Sequence, residues 1–182
     1  MKTIIVLRHA KSDWGDSNLR DFDRGLNGRG FRAAAVMGRW AATQQLAFDA
    51  IVASPAVRVK ETLAQFREAY GDSPTPSFDL RLYLAPAMTL AEVAAEASDD
   101  DASLLLVAHS PGLEDFILAS APEGQRSELR DSVAVKFPTA ALAVLDFDVE
   151  SWRELADGIK SKATLRSFMR PRDLDPALGP DM

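Results

Sequence analysis

Two apolar segments of the chain run directly into a histidine, and the sequence contains no other histidines. Residues 3–7 lead into Arg8 and His9, and residues 104–108 lead into His109. Continuous apolar runs of this length are typical of strands buried in a parallel sheet. Open α/β sheets bind ligands at the carboxyl ends of their strands, so this placement is the main functional signal in the sequence. The alternative is that each histidine is only a hydrogen-bonded residue at a strand terminus.

Helical and extended patterns alternate along the rest of the chain, which predicts an α/β domain with helices layered on a mainly parallel sheet. Asn27 can cap a helix with its body at residues 31–45, and Ser54 with Pro55 can begin another that reaches residue 70. Arg58 then lies in the first turn of this second helix. The other predicted elements are strands at 48–53 and 140–147, the latter at an edge, and a short strand or extended segment at 78–84. Helices at 88–98 and 112–120, a polar connection at 121–132 and a tail at 164–182 complete the prediction.

Composition limits the classes of partner. The 182 residues suit a single domain, and the formal net charge of -6 argues against nucleic acid and anionic membrane surfaces as partners. The chain contains no cysteine, which excludes disulfides, thiolate nucleophiles and cysteine metal sites. Its apolar segments are too short for a signal-peptide core or a membrane span, so we expect a cytoplasmic protein.

Parallel pairing of the two histidine-bearing strands would bring four basic side chains into one pocket. His9 and His109 would emerge side by side, with Arg8 next to them and Arg58 arriving from the second helix. Two guanidinium groups and two imidazoles suit a multiply charged anion, and arginine matches phosphate oxygens in a bidentate manner. A neutral imidazole can also accept a phosphoryl group and pass it to water. This chemistry requires no metal ion and no other cofactor, so we expect neither.

The residues around His9 resemble a known signature. Residues 7–12 (LRHAKS) are similar to the Arg-His-Gly motif of the histidine phosphatase superfamily, in the Arg-His-Ala-Lys-Ser form typical of its SixA-like phosphohistidine phosphatase branch. Further matches follow in order at residues 21–30 (DFDRGLNGRG), 54–58 (SPAVR) with Thr62, 82–85 (LYLA), 109–114 (HSPGLE), 138–140 (PTA) and 170–172 (RPR). An ordered set at these separations is much more specific than a single Arg-His pair.

The resemblance spans residues 1–172 and implies one catalytic domain with a three-layer α/β/α, phosphoglycerate-mutase-like fold, followed by a C-terminal tail at 173–182. It implies that His9 is the phosphorylated nucleophile and that Arg8, Arg58 and His109 bind the phosphoryl group. Ser12, the last residue of the motif, is a further candidate for phosphate binding. The implied substrate is phosphohistidine in a signalling phosphoprotein, such as a histidine-phosphotransfer domain.

The chain departs from other branches of this family at two positions. Those branches carry an Asn where this chain has Gly15, and a proton-donating Glu near residues 82–84 (LYL). An alkoxide leaving group gains about 10²- to 10⁴-fold from a general acid, whereas a phosphohistidine ring can leave as neutral imidazole. The departures therefore favour a P–N bond or an aryl phosphate over an alkyl ester. Four carboxylates remain candidates for a proton donor, namely Asp13, Asp16, Glu114 and Asp115.

Two other functions fit the same residues. One is a phosphatase for small aryl or sugar phosphates, and the other is a non-catalytic module that binds a phosphoprotein. Trp14 and Phe22 either face a substrate or anchor their loop. A set of basic residues either forms a rim for an acidic phosphoprotein or pairs with nearby aspartates, and it comprises Lys11, Arg20, Arg24, Arg29 and Arg32.

Overall fold

A six-stranded sheet forms the centre of the protein in the computed structural model, which describes residues 1–122 and 127–179. The strands are β1 (Lys2–Arg8), β2 (Ala50–Ala53), β3 (Ser77–Phe78), β4 (Ser103–Ala108), β5 (Leu142–Phe147) and β6 (Ala163–Met169). Their spatial order is β3-β2-β4-β1-β5-β6. The first four pair in parallel, and among the described strands only β5 runs against the others. The predicted α/β fold with a mainly parallel sheet is confirmed.

Helices cover both faces of this sheet because the central strands are apolar on both faces. In β1, Ile4 and Val6 pack into one core and Ile5 and Leu7 into the other. The helices are α1 (Gly28–Thr43), α2 (Val57–Tyr70), α3 (Ala87–Ala94), α4 (Gly112–Ser120), α5 (Glu128–Val135) and α6 (Pro171–Leu174). Buried residues of α1 and α2 line the second core, and those of α3, α4 and α5 line the first. Within the described ranges, no helix combines the length and apolarity needed to cross a bilayer.

The C-terminal third of the chain differs from the prediction. The strand predicted at 140–147 begins at Leu142 and lies between β1 and β6, so its placement at an edge was wrong. The predicted tail contains the edge strand β6, in which buried Ala163 and Leu165 alternate with exposed Thr164 and Arg166. The predicted polar connection contains the start of α5. Residues 173–179 end α6 and form a 3-10 turn whose Leu178 packs into the core, and the tail's residues 180–182 lie outside the described ranges.

Of the two predicted helix caps, one is confirmed and the other is wrong. Asn27 caps α1, and its Oδ1 accepts a hydrogen bond from the Gly30 amide at 2.8 Å. Ser54 does not cap α2, which begins at Val57 after Ala56. The Ser54 hydroxyl accepts the Ala56 amide at 3.3 Å and also contacts a histidine ring, so it serves a turn that precedes the helix. The segment at 78–84, predicted as a strand or extended segment, has only Phe78 in a strand, at the end of β3, and then forms a 3-10 turn at Leu80–Leu82.

Candidate active site

Sheet register brings the two histidines together. β1 and β4 are parallel neighbours, and Arg8 at the end of β1 lies opposite Ala108 at the end of β4. His9 and His109 are the residues that directly follow these two strands. The His9 amide donates to the Ala108 carbonyl at 3.2 Å, and the His9 carbonyl accepts from Ala140 at 3.0 Å. The two ring centroids are 5.3 Å apart. This pairing was expected from the apolar segments, and the structure confirms it.

The protonation of His9 is set by its own loop. Its side chain is 8% exposed, and Nδ1 lies 2.8 Å from the Ala10 carbonyl oxygen. A carbonyl oxygen can only accept, so Nδ1 carries the proton and Nε2 carries the lone pair. Burial lowers the pKa of His9 to about 3, and the charges of Arg8 and Arg58 act in the same direction, against the Ala10 hydrogen bond. His9 is therefore a neutral imidazole at neutral pH, with Nε2 unprotonated.

Arg58 is held in place by several hydrogen bonds. Its side chain is almost fully buried in the first turn of α2, as predicted. Its Nη1 donates to the Asp21 carbonyl at 2.7 Å, and its Nη2 donates to the Asp21 carboxylate at 3.0 Å. The same Nη2 lies 3.4 Å from Nδ1 of His109. Arg58 thus connects the loop that carries Asp21 to the end of β4.

His109 has a defined tautomer of its own. Because the guanidinium of Arg58 can only donate, Nδ1 of His109 accepts, and Nε2 donates to the Ser54 hydroxyl at 2.8 Å. Burial lowers the pKa of His109 to about 4, with a further contribution from the charge of Arg58. Both histidines are therefore neutral, and they carry their protons on different ring nitrogens.

Asp21 and Tyr83 belong to the site, although sequence reasoning assigned them no role in it. The Tyr83 hydroxyl donates to the Asp21 carboxylate, and its ring packs edge-on against His109 with centroids 5.4 Å apart. The hydrogen bond from Tyr83 lowers the pKa of Asp21, and those from Arg58 add to the effect. Burial and the bond to Asp21 raise the pKa of Tyr83. The two residues are 62 positions apart and no local pattern links them.

An open cavity of about 380 Å³ lies over His9. Arg8, Ser12 and Arg58 line it as predicted. His109 was expected in the same pocket but lines a different cavity, of about 220 Å³, which we call the His109 cavity. The other lining residues are Lys11, Trp14, Asp21, Lys136 and Thr139. In the described part of the chain, Asp21 is thus the one carboxylate lining the cavity over His9.

The four proton-donor candidates lie away from this cavity. Asp13 and Asp16 are exposed, and each accepts a backbone amide two residues further along the chain. Glu114 and Asp115 lie in the first turn of α4, and Asp115 lines the His109 cavity. None of the four reaches the cavity over His9 within the described residues.

The sequence left open whether the aromatic and basic residues near His9 face a substrate or make contacts within the protein, and the structure shows both cases. Trp14 is 69% exposed and lines the cavity, so it does not anchor a core, whereas Phe22 packs against Tyr83 with centroids 5.0 Å apart. The guanidinium of Arg24 lies over the Trp14 ring at 3.5 Å. Arg20 pairs with Asp23 at 2.8 Å. Lys11 lines the cavity itself.

Two close contacts fix the loop after His9. The Thr62 hydroxyl accepts from the Ala10 amide at 2.9 Å and donates to the Arg58 carbonyl at 2.7 Å. Gly30 lies against the Lys11 backbone so closely that a Cβ at this position would be 2.2 Å from the Lys11 carbonyl oxygen. The loop therefore rests on both α1 and α2, and the backbone that directly follows His9 is fixed from two sides.

No cluster of metal-ligating side chains of three or more members occurs in residues 1–122 and 127–179. The polar atoms around His9 are mostly donors from Arg8, Lys11, Arg58 and Lys136. Such a set suits an anion, because cationic donors repel a metal ion and bind phosphate oxygens.

Comparisons with known proteins agree with this geometry. The model of the histidine phosphatase superfamily (branch 1) matches residues 4–81. The uncharacterized protein ML1117 of Mycobacterium leprae is 31% identical over 169 residues, which cover 91% of this chain and 100% of that protein. A structure from Agrobacterium tumefaciens, provisionally assigned as the phosphohistidine phosphatase SixA, is 29% identical with a TM-score of 0.78, covering 93% of this chain and 98% of that one. A structure from Nakamurella multipartitia with the same assignment is 26% identical with a TM-score of 0.79, covering 93% and 96%.

Proposed function

Because the chain belongs to the histidine phosphatase superfamily, we propose that it is a phosphatase that forms a phosphohistidine intermediate on His9 and acts on phosphohistidine in a protein. The observation that carries the proposal is the neutral His9 ring, with Nε2 unprotonated at the floor of a cavity lined by cations. The family and the SixA-like neighbours support a phosphatase. The choice of a phosphohistidine substrate rests on the site.

In the first step, Nε2 of His9 attacks phosphorus and the bond from phosphorus to the substrate nitrogen breaks. The substrate imidazole leaves with that electron pair and, because its other nitrogen is protonated, it leaves as a neutral ring. Arg8 and Arg58 stabilise the charge on the three equatorial oxygens. Asp21 is held as a carboxylate by Tyr83 and Arg58, so it is a poor proton donor. The site thus suits leaving groups that need no acid.

In the second step, water attacks the phosphorus of phosphorylated His9, the P–N bond breaks with its electron pair returning to Nε2, and both protons of water leave with the product as dihydrogen phosphate. The hydrogen bond from Nδ1 to the Ala10 carbonyl keeps a proton on the far side of the ring. His9 therefore also leaves as a neutral imidazole, and the enzyme returns to its starting tautomer. The same bond serves both steps.

His109 takes part through its position beside both His9 and Arg58. Its Nδ1 accepts from Nη2 of Arg58 and its Nε2 donates to Ser54, so the ring helps to hold the guanidinium of Arg58 in place. The negative charge of a bound phosphoryl group favours the protonated form of a nearby imidazole. We propose that His109 then becomes a further donor to the phosphoryl oxygens.

Trapping of the intermediate tests the proposal. Protein incubated with a ³²P-labelled phosphohistidine substrate and rapidly denatured in alkali should retain label in the native sequence and lose it in His9→Ala. Ser17→Ala, at an exposed serine that does not line the cavity, is a matched control that should keep the label. Label that persists in His9→Ala, or no label and no turnover with any phosphate donor, would leave a phosphate-binding module as the better description.

A comparison of substrates tests the specificity. Catalytic efficiency at neutral pH should be greatest for a phosphohistidine protein, such as a histidine-phosphotransfer domain, lower for a phosphotyrosine peptide and lowest for a sugar phosphate. The physical reason is the basicity of the leaving group in a cavity without a protonated acid. Greatest efficiency on the sugar phosphate would contradict this reasoning. The alternative of a small aryl phosphate has one observation in its favour, since exposed Trp14 offers an aromatic surface at the rim.

A further inference from the structure

Another depression shares lining residues with the cavity over His9, and half of its lining residues are cations. We call it the basic groove. Its cationic residues are Lys11, Arg29, Lys136, Arg170 and Arg172. Ala33, Pro138, Thr139, Pro171 and Leu178 complete the lining, which in the described part of the chain includes no carboxylate. Five cations at one place are notable in a protein whose formal net charge is -6.

The groove is continuous with the cavity over His9. Lys11, Lys136 and Thr139 line both. Lys11 follows the His9-Ala10 dipeptide, and its carbonyl accepts the Asn27 amide at 3.0 Å, which places the first turn of α1 and Arg29 next to the loop. A ligand with one end against His9 can therefore extend over the groove without leaving the surface.

The far wall of the groove is also held in place. Arg170 donates to both oxygens of Asp173, at 2.8 and 3.0 Å, so its guanidinium is oriented by an ion pair across the start of α6. Pro171 is buried as the first residue of that helix, and exposed Arg172 follows it. The cations thus come from four parts of the chain that meet at one surface, namely the loop after β1, helix α1, the segment after α5 and the start of α6. Their shared field extends toward solvent.

The size of the groove limits what it can bind. Its volume is about 30 Å³, which holds one or two water-sized groups and no enclosed second molecule. A carboxylate with its two oxygens fits such a depression, and guanidinium groups match it in a bidentate manner. The groove is therefore suited to single acidic side chains presented by a larger ligand that covers it from outside.

We propose that the basic groove binds acidic side chains of the phosphoprotein substrate that lie next to its phosphohistidine. This inference rests on the proposed function, because it assumes that the substrate enters with its phosphoryl group against His9. It adds a specificity determinant outside the phosphate site, and predicts that the protein distinguishes between phosphohistidine sequences by their charge.

The test uses two phosphohistidine peptides of identical length, one with Asp and Glu flanking the phosphorylated residue and one with Asn and Gln in their place. The groove variant is Arg29→Gln combined with Arg172→Gln. The matched control is Arg39→Gln combined with Arg153→Gln, which removes the same charge from two exposed positions that line neither the groove nor the cavity over His9. The measured quantity is kcat/KM for each peptide at two salt concentrations.

The native protein should prefer the acidic peptide, mainly through a lower KM, and this preference should weaken at high salt. The groove variant should reduce the preference by about three- to tenfold, as expected for the loss of two partly exposed ion pairs, and the control should keep it within about twofold. Equal losses in the groove variant and the control would overturn the proposal, as would a native protein without any preference. If the groove variant keeps its preference for the acidic peptide but loses activity on a small bisphosphate, the proposal is overturned, and the groove would instead bind the second phosphate group of such a substrate.

The two proposals fail in different ways. Hydrolysis of the neutral peptide reports the proposed function, and the ratio between the two peptides reports the groove. Hydrolysis of both peptides at equal efficiency would overturn the groove alone. Hydrolysis of neither peptide by the native protein would overturn the proposed function, and the groove proposal with it.

Discussion

Acid should destabilise this protein well above the pH at which its carboxylates titrate, because both histidines are buried as neutral rings. The unfolded chain binds protons at the ordinary histidine pKa of about 6.5, whereas burial lowers the folded-state pKa values to about 3 for His9 and about 4 for His109. Between these limits the unfolded state binds more protons than the folded state, so stability falls as the pH falls below 6.5. The effect is complete only at the folded-state pKa values.

The size of this loss follows from the pKa difference. At pH 5.0 each unfolded histidine gains about 2 kcal/mol from protonation, while the folded rings stay neutral because pH 5.0 lies above both of their pKa values. The two together should lower the free energy of unfolding by about 4 kcal/mol between pH 7.5 and pH 5.0. The carboxylates with lowered pKa values, such as Asp21 and Asp146, lose their contribution mainly below about pH 4.

Urea unfolding at pH 7.5 and pH 5.0 measures this difference for the native protein, His9→Gln and His109→Gln. Each substitution should remove about 2 kcal/mol of the pH-dependent loss, whatever it does to stability at pH 7.5. The buffers must contain no phosphate, because an anion bound to the folded state would itself stabilise it. A variant that keeps the full loss of the native protein would show that the ring it lacks is free to protonate in the folded state, and the reasoning for that ring would be wrong.

Three further substitutions test the arrangement of the site. Arg58→Lys keeps the charge and loses the forked donor, so kcat/KM for an aryl phosphate should fall by about 10²- to 10³-fold, and a loss below tenfold would contradict the assigned role. Thr62→Val leaves the Ala10 amide without its acceptor, so urea unfolding should show a loss of about 1–3 kcal/mol that Thr62→Ser largely restores. Gly30→Ala places a methyl group 2.2 Å from a backbone oxygen and should cost about 1–3 kcal/mol and reduce kcat. Gly28→Ala, in the same helical turn with only ordinary contacts, should be neutral or stabilising by up to about 1 kcal/mol, and equal effects of the two alanines would refute the steric argument.

The parts of the fold that sequence predicted are those with a strong local pattern. β1 and β4 are almost entirely buried on both faces, so their composition identifies them as central parallel strands, and their ends then locate His9 and His109. β6 was not predicted, because only one of its faces is buried at its start and its apolar residues form no continuous run. In the sequence, Arg166 is typical of a polar tail. The predicted position of β5 at an edge was wrong because β6, the strand that pairs with its outer side, had not been predicted.

The sequence predicted those site residues that directly follow a strand or begin a helix. It did not predict the residues that reach the site only through tertiary contacts between distant segments. Arg8, His9 and Arg58 follow from strand and helix ends. The roles of Asp21 and Tyr83 depend on a contact between a loop and a 3-10 turn, and neither segment has a periodic pattern that would predict it. Ser54 shows the limit of a local rule, because its hydroxyl accepts from His109 where a cap had been expected.

The chemical character of the site follows from how its two rings are kept neutral. A histidine nucleophile can be prepared by a neighbouring base, but here burial and nearby cations hold His9 unprotonated, and a backbone carbonyl selects the tautomer. This arrangement needs no carboxylate next to His9, and the one carboxylate lining the cavity in the described chain is committed to Arg58 and Tyr83. With His9 as the nucleophile, as we propose, the site would activate it without creating an acid. We therefore expect a preference for substrates whose leaving group already carries its proton, the property that distinguishes a phosphohistidine from an alkyl phosphate.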